Sequence, residues 1–210
     1  MKYKIIGTGS TGNCVVIDGD LMFDIGLPFK RIHDALFGVK YIVITHIHTD
    51  HLNVATAKHI RRLFPNIKFI GNEQVNEKFP VDIIAEADQP IELDGFTLVP
   101  FYAPHNVLVY GYTWRRDGKN YLYVTDTESM RNAPTKQDNG GYDYLFLEAN
   151  HDQRIIEQIL ADGGDKKFGY DVVDGSMRHL STQQAKAFYY LNRRDSNSVW
   201  IRLHQSGRFY

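Results

Sequence analysis

Cysteine is all but missing from this chain: Cys14 stands alone among 210 residues. A disulfide framework and a thiolate metal cluster are thereby excluded. No apolar run approaches the roughly 20 residues of a membrane-spanning helix, so no membrane partner is expected. Charge of either sign is not in excess, since 24 Lys and Arg stand against 25 Asp and Glu for a formal net charge of −1. That excludes a strong global attraction to nucleic acid, and such a substrate would need a local basic patch. Low-complexity tracts, solenoid repeats and a Pro/Ser-rich linker are also missing, which points to one domain over residues 1–210. Residues 1–7 are too short and too soon broken by glycine to be a signal peptide, and the expected location is cytoplasmic.

What the chain does have is an ordinary 43% of hydrophobic residues and nine histidines. Three of those histidines fall within Thr45-His46-Ile47-His48-Thr49-Asp50-His51. On a helix His46 and His48 would point about 200° apart, so the heptapeptide reads as a loop. It follows Tyr-Ile-Val-Ile at 41–44, an apolar run that reads as a buried strand. Open α/β folds place their chemistry at such strand ends. Neutral imidazole with carboxylate suits borderline divalent metals. His105, Asp126 and His204 likewise follow apolar runs directly, the pattern of a site on one rim of a sheet.

Strands are expected at 3–6, 14–17, 21–24, 41–44, 68–70, 96–101, 107–114, 121–125, 144–148 and 199–203. Helices are expected at 28–37, at about 54–64 with Ala55, Ile60, Leu63 and Phe64 inward, and at 153–161. A further helix opens on Ser181, with Gln184 in capping-box position, and runs to about Asn192. A glycine-bearing loop is expected at 163–175. Strands in two batches, each followed by helices, predict an α/β (α+β) fold of two face-to-face sheets covered by helices, a four-layer αββα sandwich.

Taken in order, HxHxDH (His46, His48, Asp50, His51), His105, Asp126 and His204 resemble the ligand motifs of the metallo-β-lactamase superfamily over nearly the whole chain. The resemblance implies that His46, His48 and His105 hold one metal, that Asp50, His51 and His204 hold a second, and that Asp126 bridges them. Seven ligands are independently too many for one tetrahedral ion with an open position. They fit two ions about 3.5–4 Å apart that share a carboxylate and a hydroxide. The expected cofactors are two divalent metal ions, zinc or manganese. Asp24, in Phe23-Asp24-Ile25-Gly26, matches the superfamily's first-motif aspartate and is expected to orient a ligand histidine or the ligand loop.

Within the superfamily, Gly7-Thr8-Gly9-Ser10-Thr11-Gly12-Asn13-Cys14, Leu147-Glu148-Ala149-Asn150-His151-Asp152 and His179-Leu180-Ser181 are similar to segments of the YycJ/WalJ branch, related to RNase Z. Arg178 stands where that branch has glycine, Ala149 where it has serine, and its fifth-motif HLSxENN is replaced after His204. The branch implies a DNA exonuclease. The glycines also satisfy GxGxxG, but a strand rather than a helix follows them, which excludes a dinucleotide fingerprint. A tight turn whose N–H groups cradle an anion is expected instead.

The expected function is hydrolysis of a phosphodiester in DNA or RNA, as a nuclease with 5′-to-3′ exonuclease action, by a metal-bridging hydroxide. Asp50, Glu148, His151 and His179 are the expected catalytic groups, and Ser10, Thr11, Asn13 and Asn150 the expected substrate contacts. A cyclic-nucleotide phosphodiesterase, a thioester, lactone or β-lactam hydrolase, and a non-catalytic metal-binding protein stay open as alternatives. His33 and His59 read as solvated surface. Lys58, Arg61 and Arg62, Lys166 and Lys167, and Arg193 and Arg194 read mostly as solvated faces. Tyr102, Tyr110, Tyr112, Trp114, Tyr189 and Tyr190 read more as core than as base-stacking platforms.

Overall fold

Short runs of β-branched and aromatic residues become strands wherever turn residues interrupt them. A computed structural model of the chain describes residues 1–162 and 170–205. Two compact units divide it, Met1–Glu86 and Ala87–Tyr210, each built on one six-stranded sheet.

In the first unit β1 (Tyr3–Gly7), β2 (Cys14–Ile17) and β3 (Leu21–Phe23) form an antiparallel meander. The parallel strands β4 (Tyr41–Ile44), β5 (Lys68–Gly71) and β6 (Ile83–Ile84) then continue it in sequence order. Parallel pairing demands crossovers. These are α1 (Phe29–Ile32) with a 3₁₀ turn (His33–Ala35), α2 (Val54–Leu63) and α3 (Glu73–Lys78). All four residues of β4 are buried, as expected of a parallel strand covered on both faces. Ile42, Ile44, Ala57, Ile60 and Phe69 belong to this unit's apolar core.

In the second unit β7 (Ile91–Leu93), β8 (Phe96–Ala103), β9 (Val109–Arg116) and β10 (Lys119–Val124) meander antiparallel. After α4 (Lys136–Asn139), β11 (Tyr144–Glu148) joins parallel to β10. After α5 (Gln153–Ala161), α6 (Tyr170–Met177) and α7 (Thr182–Asn192), β12 (Val199–Leu203) joins parallel to β11. Leu122, Val124, Leu145, Leu147 and Ala185 are among its core residues. The parallel registers align the strands' carboxyl ends: Val124 pairs with Leu147, and Glu148 with Leu203. Residues that follow β10 and β12 are thereby delivered to one edge.

Several expectations are corrected. The helix expected at 28–37 is one turn of α-helix and then a 3₁₀ turn, with no side-chain cap. Helix α2 buries Thr56, Ala57 and Ile60, while Ala55 and Leu63 are exposed. The Thr56 hydroxyl donates to the buried Leu27 carbonyl oxygen at 2.9 Å, which rotates the helix off the expected face. The loop expected at 163–175 holds helix from Tyr170 onward, where Val173 packs on Ile156. The earlier part of that loop, with Lys166 and Lys167, lies outside the described residues. The short elements α3, α4, β6 and β7 had no periodicity to announce them.

Candidate metal centre

The ligand loop begins where β4 ends. His46 Nε2 lies 3.0 Å from His48 Nδ1, and His51 Nε2 lies 3.4 Å from Asp50 Oδ2. The rings of His46 and His51 are 4.1 Å apart between centroids. Beneath them lies Asp24, fully buried at the end of β3. Its Oδ2 accepts from His51 Nδ1 at 2.8 Å, and its Oδ1 accepts from the Thr45 backbone N–H at 2.8 Å. The Thr45 hydroxyl donates to Asp24 and stands 3.0 Å from His46 Nδ1. Burial pushes the Asp24 carboxyl above its ordinary range, and the His51 and Thr45 contacts oppose that rise. Asn13 closes the other side, its amide donating to Asp50 Oδ2 at 3.2 Å and reaching His51 Nε2 at 2.8 Å.

The second unit has its own cluster. Asp126, Glu148, His179 and His204 each offer a ligand atom, all within 4.8 Å of one another. His204 Nε2 is 3.6 Å from Asp126 Oδ1, and the rings of His179 and His204 stack at 4.9 Å. Glu148 is fully buried. Its Oε1 accepts from the Thr127 N–H at 2.6 Å and its Oε2 from His179 Nδ1 at 2.9 Å. His105 Nδ1 donates to the Arg178 carbonyl oxygen at 3.1 Å. Asp24 and His204 follow strands directly and Asp126 comes two residues after the end of β10, and all three have left-handed backbone, at φ 59°, 54° and 49°. Such a conformation is costly for a non-glycine residue and concentrates at functional sites.

The donor chemistry fits divalent metal. In His51, His46 and His105 an oxygen acceptor on Nδ1 selects the tautomer whose lone pair lies on Nε2. Metal-binding histidines are oriented by this kind of partner.

A family model described as a beta-lactamase superfamily domain matches residues 19–192. The chain belongs to the metallo-β-lactamase superfamily. Human tRNase Z, short form, superposes with a TM-score of 0.68 at 18% identity, covering 99% of this chain and 93% of that one. The metallo-β-lactamase fold protein YhfI from Bacillus subtilis gives 0.66 at 15% identity, over 98% and 86%. A diphosphatase of the PhnP family gives 0.65 at 19%, over 97% and 85%. A comparison with curated proteins returned no match. With this superfamily's fold and its His/Asp ligand sets, the chain is a metal-dependent hydrolase. No helix among the described residues is long and apolar enough to cross a membrane.

Within this metallo-β-lactamase fold the expected site residues fall into distinct places. His46, His48, Asp50 and His51 are brought together in the first unit, and Asp126 and His204 in the second. His179 and Glu148, two of the expected catalytic groups, lie with Asp126 and His204. Ser10 and Thr11 are exposed, whereas Asn13 is buried and spends its amide on the ligand loop. Asn150 is buried too, and its amide donates to the His204 carbonyl oxygen and lies 3.1 Å from His204 Nδ1. His151 is buried, and burial pushes its imidazole below the ordinary histidine range. Sequence reasoning missed the Arg178 carbonyl, a backbone group with no sequence signal. It also missed Thr45, whose place just before HxHxDH could have marked it. Tyr112 and Trp114 are core, Arg194 pairs with Asp143 at 3.1 Å, and Arg61 with Asp82 at 3.4 Å.

Proposed function

We propose that the chain is a phosphodiesterase acting on nucleic acid or a nucleotide phosphodiester. The observation that carries this reading is the His179–Glu148 pair beside Asp126 and His204. An imidazole held by a buried carboxylate can give a proton to a departing alkoxide oxygen, the step a phosphodiester needs most. The names of the similar structures, a tRNase Z and a diphosphatase, support phosphoester chemistry. The loop at Gly7–Cys14 and the segment Leu147–Asp152 support the YycJ/WalJ branch and its 5′-to-3′ exonuclease action.

In this reading residues 1–210 act as one domain, and both clusters serve one pair of zinc or manganese ions. His46, His48 and His105 hold the first, Asp50, His51 and His204 the second, and Asp126 both. When bound, such ions supply a water of lowered pKa and offset phosphate charge. The remaining work belongs to the chain. Asp24, Thr45 and the Arg178 carbonyl hold imidazole tautomers. Asp50 helps deprotonate the attacking water. His179 donates from Nε2 to the leaving oxygen, while Glu148 holds the ring through Nδ1. Ser10 and Thr11 meet the phosphate on its exposed side, and Asn13 and Asn150 keep the ligand residues in place. His151, buried and neutral, binds rather than transfers protons.

The test is a substrate panel under added manganese or zinc: bis-p-nitrophenyl phosphate, linear duplex, plasmid, RNA, cyclic nucleotides, a thioester and nitrocefin. Hydrolysis of bis-p-nitrophenyl phosphate and of one nucleic acid or nucleotide, abolished by chelation, is expected. Turnover of the thioester or nitrocefin alone would overturn the proposal.

A further inference from the structure

Outside the candidate metal centre, the first unit carries a run of rings and cations that the proposed chemistry does not use. Phe29, at the start of α1, meets His33 of the 3₁₀ turn at 5.4 Å and stacks on His59 of α2 at 5.5 Å between ring centroids. His33 meets Phe37 at 5.4 Å. Phe64 packs edge-on against His33 at 6.0 Å and against Phe37 at 5.5 Å. Phe29, His33 and Phe64 are half-buried. They hold two open rings in place, His59 and Phe37, the latter 68% exposed. A contiguous exposed apolar patch rimmed by polar groups marks an interaction site.

The rim is cationic. Lys58, His59, Arg62 and Leu63 are all exposed, and their three- and four-residue spacing puts them on one face of α2. Lys30 and Arg31 are exposed on α1, and Arg31 donates to the Ile6 carbonyl oxygen of β1 at 3.4 Å. Across α1, the 3₁₀ turn and α2 the one acid is Asp34, whose Oδ1 lies 2.8 Å from His33 Nδ1. A chain of net charge −1 thus has a local basic patch, the electrostatic footprint that nucleic acid requires.

Phe37 also lines a groove of about 290 Å³ at the edge of the sheet, where β1 is the outermost strand. Lys2, Lys4, Val16 and Ala35 line it too. Its two acids are engaged, Asp34 with His33, and Asp18 with the Lys2 backbone N–H, which it accepts at 2.8 Å. Lysines on an edge strand oppose pairing with the same edge of a second copy. Asp18 and Gly19 precede β3, whereas Asp24 follows it. The groove therefore lies at the opposite end of β3 from the ligand loop, roughly 10 Å along the strand.

We propose that this ring run and groove form a track for single-stranded nucleic acid. Phe37 and His59 stack unpaired bases, and Lys2, Lys4, Lys30 and Arg62 meet backbone phosphates. Every base offers a π face to an aromatic side chain, and a basic groove follows the backbone. A duplex hides those faces. The track rests on the phosphodiesterase reading for the nature of its ligand, and it deepens that reading by naming unpaired strands as the substrate class.

The test titrates the zinc-loaded protein into a fluorescent phosphorothioate oligothymidylate, which resists hydrolysis, and reads anisotropy. Phe37→Ala should weaken binding about tenfold, the loss of one stacked base. Phe37→Trp should retain it. Joint replacement of Lys2 and Lys4 by glutamine should lower the slope of log affinity against log salt by about 1.4, at about 0.7 per phosphate contact. All three positions are exposed, so the fold should persist, as circular dichroism will show. A duplex of equal length and polyglutamate should both compete poorly. Absent binding, affinities equal to wild type in every variant, or full competition by polyglutamate would overturn the track. A dimer in sedimentation that Phe37→Ala dissociates would do the same, since the patch would then join two copies. Turnover of bis-p-nitrophenyl phosphate, too small to reach the track, should be equal in Phe37→Ala and wild type. Its absence from wild type would sink the phosphodiesterase reading alone, because the titration still decides the track.

Discussion

Asp24 holds three groups on one buried carboxylate, the His51 imidazole and the backbone amide and hydroxyl of Thr45. Asp24→Asn keeps the shape but loses the charge that favours the Nδ1–H tautomer of His51. Metal affinity should fall by about 10–100-fold, read by chelator competition, with the circular dichroism spectrum unchanged. Affinity equal to wild type would refute that role. His179→Ala should lower kcat by about 10²–10⁴ with little change in metal content. A loss of metal instead would make His179 a ligand, which its place within 4.8 Å of Asp126 and His204 also permits. Cys14 is fully buried, and burial with the nearby Asp24 charge pushes its thiol far up. It should resist a thiol reagent in the native protein and react only on unfolding.

At the scale of elements, caps and close approaches decide how well the scaffold holds its loops. Asp138 closes a capping box with Thr135 at the start of α4, and Asp152 caps α5 through the Arg154 N–H. The Thr135 hydrogen bonds hold the Asp138 carboxyl below its ordinary value of 3.8, and Gln183, then Arg154, do the same for Asp152. A depressed folded-state pKa contributes stability above the unfolded value and loses it as pH falls through the folded one. Both contributions should therefore be complete above about pH 4 and vanish in stronger acid. Denaturant midpoints of Asp152→Asn and wild type should converge as pH drops below that window, and a constant gap would contradict this. The ligand loop depends on a glycine: a Cβ on Gly26 would collide with the Asp50 carbonyl oxygen, which accepts the Asn13 N–H at 2.7 Å. Gly26→Ala should shift the loop and cut metal affinity more than it cuts stability, measured by chelator competition beside thermal melts.

Across the whole molecule, ligands of one ion pair are proposed to come from two units with separate sheets and separate apolar cores. Metal that binds only the native state stabilises it by about 2.7 kcal/mol at a hundred times its dissociation constant. Zinc should slow amide exchange in β4 of the first unit and in β11 of the second together. His48→Ala, altered in the first unit only, should remove the protection in β11 as well. Persistence of that protection would show that the second unit's cluster of Asp126, Glu148, His179 and His204 binds metal by itself.

The amino-acid order alone determined the buried strand Tyr41–Ile44, the strands Tyr144–Glu148 and Val199–Leu203, the helix capped by Ser181, and the HxHxDH loop. Each is set by contacts within a few residues: an apolar run, a cap, a dense local motif. The inward face of α2, the helix at Tyr170–Met177, the bracing of His204 by Asn150 and the groove beside Phe37 were decided only by tertiary structure. They depend on a distant carbonyl, on Val173 meeting Ile156, or on parallel register aligning Glu148 with Leu203. Local propensity does not encode such long-range pairings, because their energy exists only once the chain has closed on itself.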